Sequence, residues 1–249
     1  MIPHHVVTGP EDAPALVLSN SLGATLAMWD PQAEALAQRF RLIRYDTRGH
    51  GGSDIPSGPY SIDDVGGDVV ELLDHLGIER AHFAGLSLGG MTGMWLAAHA
   101  PERVGTLVLL CSSPLLGPAK GWADRAVLVR RKGTAAIVDA TLERWLSPHY
   151  DGDVTGLQAM FEAIDDEGYA NCCSIIEHMD LTADLPRIEA PTLIIAGAQD
   201  PATPPDVAER MAAAIPDARV EVLDPGAHLV NVERPEATTR LILDHLGAR

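Results

Sequence analysis

The sequence predicts an α/β protein, a mostly parallel sheet with helices on both faces, and two observations carry that prediction. Short apolar runs without polar–apolar alternation recur along the chain, as strands buried on both faces do. Longer stretches with helical periodicity separate them, and strand–helix alternation of this kind builds parallel sheets. A third observation refines the prediction. The rhythm breaks between about residues 113 and 185, so a helical lid is expected there, inserted into a core formed by residues 1–112 and 186–249.

Each element follows in order. ALVLSN (Ala15–Asn20) reads as a strand, PQAEALAQRF (Pro31–Phe40) as a helix and RLIRYD (Arg41–Asp46) as a strand. In Ser61–Gly77 the residues Val65, Val69, Leu72, Leu73 and Leu76 fall on one helical face, and Ser61 with Asp64 starts the helix as a capping box. AHFAG (Ala81–Gly85) is a strand, LGGMTGMWLAAHA (Leu88–Ala100) a helix and VGTLVLLC (Val104–Cys111) a strand. Beyond the lid, PTLIIAGA (Pro191–Ala198) and RVEVLD (Arg219–Asp224) are strands, PDVAERMAAAI (Pro205–Ile215) is a helix, and a closing helix runs from Glu233.

The chain has 249 residues, enough for one domain with a full hydrophobic core. Its formal charge of −17 repels phosphate backbones and anionic lipid, which argues against nucleic acid or a membrane surface as partner. Three cysteines, Cys111 and the adjacent Cys172 and Cys173, make no disulfide framework. The first residues, MIPHHVVTG, do not read as a secretory signal, so a cytoplasmic, reduced setting is expected.

The strongest chemical signal is GLSLGG (Gly85–Gly90), between a strand and a helix. A serine on such a turn, with glycines two residues to either side, stands clear of the sheet as a nucleophile. Serine needs a base, and the base needs an orienting carboxylate. Asp200 follows the strand PTLIIAGA and His228 follows RVEVLD, so both stand at strand C-termini, where open α/β sheets bind ligands. Ser87, Asp200 and His228 are therefore the expected triad. An oxyanion hole needs two N–H groups. Leu88, after the nucleophile, supplies one, and Leu22 in SNSLGA (Ser19–Ala24) the other.

Two further segments call for a reading. RYDTRGHGGSD (Arg44–Asp54) is rich in glycine but lacks a phosphate-loop ending, so it reads as a structural turn with Asp46 and Arg48 paired. Between Lys120 and Arg144 lie six basic residues against three acids, a basic island in an acidic chain. It is either a solvated helix face or a source of arginines that hold an anionic substrate. No metal-spaced Cys/His set exists, His178 with Asp180 being the nearest pair, so no metal is expected.

With these residues in place the chain resembles the α/β-hydrolase superfamily over nearly its whole length. Within it the chain is similar to the 3-oxoadipate enol-lactonases of aromatic catabolism. NSLG (Asn20–Gly23), MWDPQ (Met28–Gln32), RYDTRGHG (Arg44–Gly51), GPYSI (Gly58–Ile62), GLSLGGM (Gly85–Met91), Arg144-Trp145, GYANCC (Gly168–Cys173) and AHLVNVERP (Ala227–Pro235) carry that similarity. The segment Ser113–Lys120 follows the pattern less closely, and the decarboxylase fused to some relatives is not expected here. The resemblance implies an α/β-hydrolase fold and cofactor-free hydrolysis of a small anionic enol-lactone. Trp122, Arg125, Arg130, Arg144 and Trp145 are the candidate substrate contacts. A general carboxylesterase or perhydrolase of the same fold, and a binding protein with little turnover, are the rival readings.

Overall fold

In the computed structural model, which describes residues 1–247, seven strands form one sheet. The last two residues of the expected core segment, 248 and 249, lie outside the described residues. The strands are β1 (His5–Thr8), β2 (Ala15–Ser19), β3 (Arg41–Tyr45), β4 (Ala81–Leu86), β5 (Val104–Leu110), β6 (Thr192–Gly197) and β7 (Ala218–Leu223), in the order β1-β3-β2-β4-β5-β6-β7. All neighbours pair in parallel except β1 with β3. Every residue of β2 and β6 is buried, which is why these strands read as continuous apolar runs.

The sequence reading missed β1. It is four residues long, and its antiparallel register, His5 opposite Tyr45, depends on a strand some forty residues away. Nothing local announces such an edge strand.

Helices α1 (Asp30–Ala37), α2 (Ile62–His75) and α3 (Leu88–His99) belong to the first half of the sheet, and α8 (Pro205–Ala214), α9 (Val230–Glu233) and α10 (Pro235–Gly247) to the second. The predicted capping box of α2 is present, Ser61 and Asp64 each binding the other's backbone N–H. Val65, Val69, Leu72 and Leu73 form its buried face. Helix α3 is buried on nearly all sides, as an apolar helix beneath other elements must be. Between β5 and β6 lie α4 (Ala119–Lys132), α5 (Val138–Trp145), α6 (Thr155–Glu162) and α7 (Asp166–His178), with no strand among the described residues there.

The chain moves one way from β2 to β3, then returns across β2 to β4 and continues outward. The crevice at the C-terminal ends of β2 and β4, where Ser19 and Gly85 are in register, is thus a topological switch point. The Arg44–Asp54 loop is a structural turn, but not the one expected. Asp46 does not pair with Arg48; it accepts the N–H groups of Leu26 at 2.7 Å and Gly52 at 2.9 Å and contacts His4 Nδ1 at 2.8 Å. Arg48 turns the other way, onto the buried Asp68 carboxylate at 2.7 Å and onto Asp64 at 3.0 Å. Tight turns inside the loop keep Asp46 for backbone donors and leave Arg48 to the acidic side of α2.

Candidate active site

Ser87 joins β4 to α3 with φ 56° and ψ −114°, a conformation costing a non-glycine residue roughly 1–3 kcal/mol. The surroundings over-determine it. Its N–H donates to Leu110 C=O at 2.9 Å, and its own C=O accepts from Ser112 Oγ at 2.8 Å and Met91 N–H at 2.9 Å. The flanking glycines permit the turn. A Cβ on Gly85 would lie 2.1 Å from Gly89 O, and one on Gly89 would lie 2.3 Å from Ser19 O.

The Ser19–Ala24 loop reaches the same place from β2. Asn20 C=O takes the Gly89 N–H at 2.9 Å, and Asn20 Nδ2 donates to Tyr45 O at 2.7 Å. His50 Nε2 accepts the Gly23 N–H at 3.0 Å. With these groups engaged, Leu22 lines the cavity beside Ser87. The Leu88 N–H opens the first turn of α3, where no intrahelical acceptor exists.

Asp200 and His228 come from the loops after β6 and β7. Asp200 Oδ1 accepts the N–H groups of Ala202 and Thr203 at 2.8 and 3.1 Å. Its Oδ2 accepts Thr203 Oγ at 2.6 Å and meets His228 Nδ1 at 2.7 Å. Burial raises the Asp200 carboxyl, but the charge and hydrogen bond of His228 and the Thr203 donors outweigh it, holding the group below its ordinary value. An ionised Asp200 only accepts, so the proton of this contact sits on His228 Nδ1 and Nε2 is turned away from the carboxylate. Ser87 and His228 line one cavity.

That cavity, about 70 Å³, is walled by Ser21, Leu22, Leu116, Trp122, Arg125, Thr141, Arg144, Trp145, Tyr169, Ile176 and Ala202 as well as the serine and histidine. Leu116, Trp122, Arg125, Arg144 and Ala202 also wall an outer mouth of about 310 Å³, so the arginines stand where the two spaces meet. Arg125 donates to Tyr169 Oη and Thr141 Oγ1, each at 2.7 Å, with its guanidinium 5.9 Å from the Trp122 ring and 5.6 Å from the Tyr169 ring. Burial and then the nearby Arg125 charge push Arg144 down. It stays a cation. Among the described residues neither arginine has a carboxylate partner.

Four of the five candidate substrate contacts, Trp122, Arg125, Arg144 and Trp145, thus meet at the cavity. Arg130 does not. It lies on another face of α4, where Nε and Nη2 bind the Glu167 carboxylate at 2.9 and 3.1 Å and Nη2 also binds Asn171 Oδ1 at 2.8 Å. An exposed helical arginine facing a glutamate on the adjacent helix pairs with it, so Arg130 is corrected from substrate contact to interhelical tie. Lys120 similarly pairs with Asp124 along α4. Sequence reasoning missed Thr141, Tyr169 and Ile176 as wall residues. GYANCC drew attention to Tyr169, while nothing in the sequence marks Thr141. His178 and Asp180 bind Ser174 O and Thr182 N–H, and no group of three or more metal-ligand side chains occurs among the described residues.

A strand–serine–helix turn under a switch-point crevice, with Asp and His on later strand ends, places the molecule among hydrolases of the α/β type. The comparisons agree. The alpha/beta hydrolase fold family matches residues 14–133 and 152–235, and the chain belongs to it. It is 42% identical over 238 residues to 3-oxoadipate enol-lactonase 2 of Acinetobacter baylyi, covering 94% of this chain and 89% of that protein. The crystal structure of the enol-lactonase from Burkholderia xenovorans LB400 superposes with a TM-score of 0.94 at 42% identity, covering 98% and 96% of the two chains. A relative named as the carbamate hydrolase RutD, from Stutzerimonas stutzeri, is 36% identical over 95% of this chain and 92% of its own. The chain is a hydrolase of lactones or esters. Among its described residues no helix is long and apolar enough to cross a membrane.

Proposed function

We propose that this hydrolase is a cytoplasmic serine enzyme that opens 3-oxoadipate enol-lactone to 3-oxoadipate in aromatic-compound catabolism, with residues 113–185 as its lid. The observation that carries the reading is one cavity holding Ser87, the Asp200-backed His228 and two arginines without carboxylate partners among the described residues. A neutral ester has no use for two cations beside the reacting centre. A lactone with a carboxymethyl arm does, and each charge-assisted contact contributes about 1.5–3 kcal/mol.

In this account His228 Nε2 takes the Ser87 hydroxyl proton as Oγ attacks the lactone carbonyl. The Leu22 and Leu88 N–H groups hold the oxyanion. Collapse breaks the ring C–O bond as the His228 imidazolium returns its proton to the leaving oxygen, which departs as an enol, a better leaving group than an alkoxide, and then becomes the ketone. His228 next activates a water that releases the acyl group from Ser87. Asp200 steadies the imidazolium in both steps, and Arg125 and Arg144 hold the carboxylate arm away from the reacting carbon.

The relatives named as enol-lactonases support this substrate. The test is the ultraviolet loss of the enol-lactone with wild type and Ser87→Ala. Turnover by the first and none by a folded second is expected; a folded Ser87→Ala protein within tenfold of wild type sinks the serine assignment.

A further inference from the structure

Glu233, at the end of α9, touches neither Ser87 nor the cavity wall, yet its carboxylate ties two parts of the site together. Oε1 accepts the N–H of Ala227, the residue before His228, at 2.6 Å. Oε2 accepts both the N–H and the hydroxyl of Ser147, at 3.1 and 2.6 Å. Ser147 lies two residues beyond Trp145 and three beyond Arg144, the cavity-wall pair at the end of α5. A second tie runs in parallel, from Leu229 N–H to Trp145 C=O at 2.8 Å. The residues on either side of His228, Ala227 and Leu229, are thus both tied through their N–H groups, one by way of Glu233 and one directly, to the segment that carries Arg144 and Trp145.

We propose that Glu233 is a positioning residue that locks the His228 loop to the substrate-binding end of α5, so that base and anion-binding wall are set as one unit. The inference rests on the reading of His228 as base. Three charge-assisted hydrogen bonds on one half-buried carboxylate hold backbone more rigidly than neutral ones. A base must be held within a few tenths of an ångström of its proton, and a displacement of about 1 Å costs on the order of 100-fold in rate.

The two ends of the clamp predict different kinetics. Glu233→Ala frees both the Ala227 and the Ser147 side, so kcat falls at least tenfold on both the enol-lactone and p-nitrophenyl acetate, and KM for the anionic lactone rises as well. Ser147→Ala loosens only the α5 side, so its main effect is a KM for the anionic lactone raised about three- to tenfold, with a smaller loss on the neutral ester. Glu233→Gln keeps an acceptor for Ala227 N–H and offers a donor to Ser147 Oγ, losing only the Ser147 N–H bond, so it recovers most of the lost kcat while KM for the lactone stays raised. It also serves where the alanine variant does not fold. A role confined to stability lowers the folded fraction alone, leaving kcat per folded molecule and both KM values at the wild-type level. That pattern, or wild-type kcat in a folded Glu233→Ala protein, overturns the clamp. Neither result touches the serine-hydrolase reading, which falls only if Ser87→Ala keeps its activity.

Discussion

His228 Nδ1 lies 2.7 Å from Asp200 Oδ2, and the two side chains are 7% and 0% exposed. Twenty-eight residues separate them in the chain, yet β6 and β7 lie side by side and deliver both at the same end of the sheet. Asp200 receives two further backbone N–H groups and a threonine hydroxyl, so the carboxylate is fixed before His228 meets it.

Asp200→Asn preserves this shape but favours the other imidazole tautomer, placing a proton on the nitrogen that should accept one. Steady-state kinetics should show a loss on the order of 10⁴-fold in kcat. A nearly silent Asp200→Asn beside a damaging Asp224→Asn would mean that Asp224 is the orienting acid.

The arginines separate binding from chemistry. Arg144→Ala should lower kcat/KM for the anionic lactone by about 10–150-fold and change p-nitrophenyl acetate hydrolysis much less, since the triad is untouched. Arg125→Ala should show the same contrast with a larger loss on the neutral ester, because Arg125 also braces Tyr169 and Thr141. Equal losses on both substrates would assign either arginine to architecture alone.

Arg130→Ala should leave kcat/KM for the lactone within about twofold of wild type. Its partner Glu167 is on the surface, where an ion pair contributes about 0–1 kcal/mol. A tenfold loss would return Arg130 to the substrate's path.

His50 predicts a pH dependence of stability. Burial lowers it from 6.5 to about 4, with the Arg48 carbonyl and the Asp46 and Asp165 charges opposing that shift only in part. Above pH 6.5 both folded and unfolded chains keep it neutral. Between 6.5 and about 4 the unfolded chain takes a proton that the folded one refuses, so stability falls with the pH, by about 3 kcal/mol across the window. Urea midpoints of wild type and His50→Gln, which keeps an acceptor for Gly23 N–H, should converge as the pH falls. Parallel curves would contradict the assignment.

Much of the fold and of the candidate triad was legible because the signals are local. Buried parallel strands write themselves as apolar runs, and a glycine-flanked serine between strand and helix marks its own turn. His228 and Asp200 could be placed because each directly follows such a strand. What stayed hidden depends on contacts distant in sequence. The strand His5–Thr8 exists only against Arg41–Tyr45. Arg130 and Arg125 both lie on α4, and no sequence pattern shows that one faces Glu167 on α7 and the other Tyr169 over the cavity. The same holds for Asp46 and Arg48, two residues apart and aimed at opposite partners.

The central claim, that this site is built for an anionic enol-lactone and not for esters at large, is tested most directly by one ratio. It is kcat/KM for 3-oxoadipate enol-lactone, followed by its ultraviolet loss, over kcat/KM for p-nitrophenyl acetate in the same buffer. Two arginine contacts to the carboxylate arm predict a ratio of at least about tenfold in favour of the lactone. A ratio near one, or an inert lactone beside rapid acetate hydrolysis, would contradict the account and identify a general esterase.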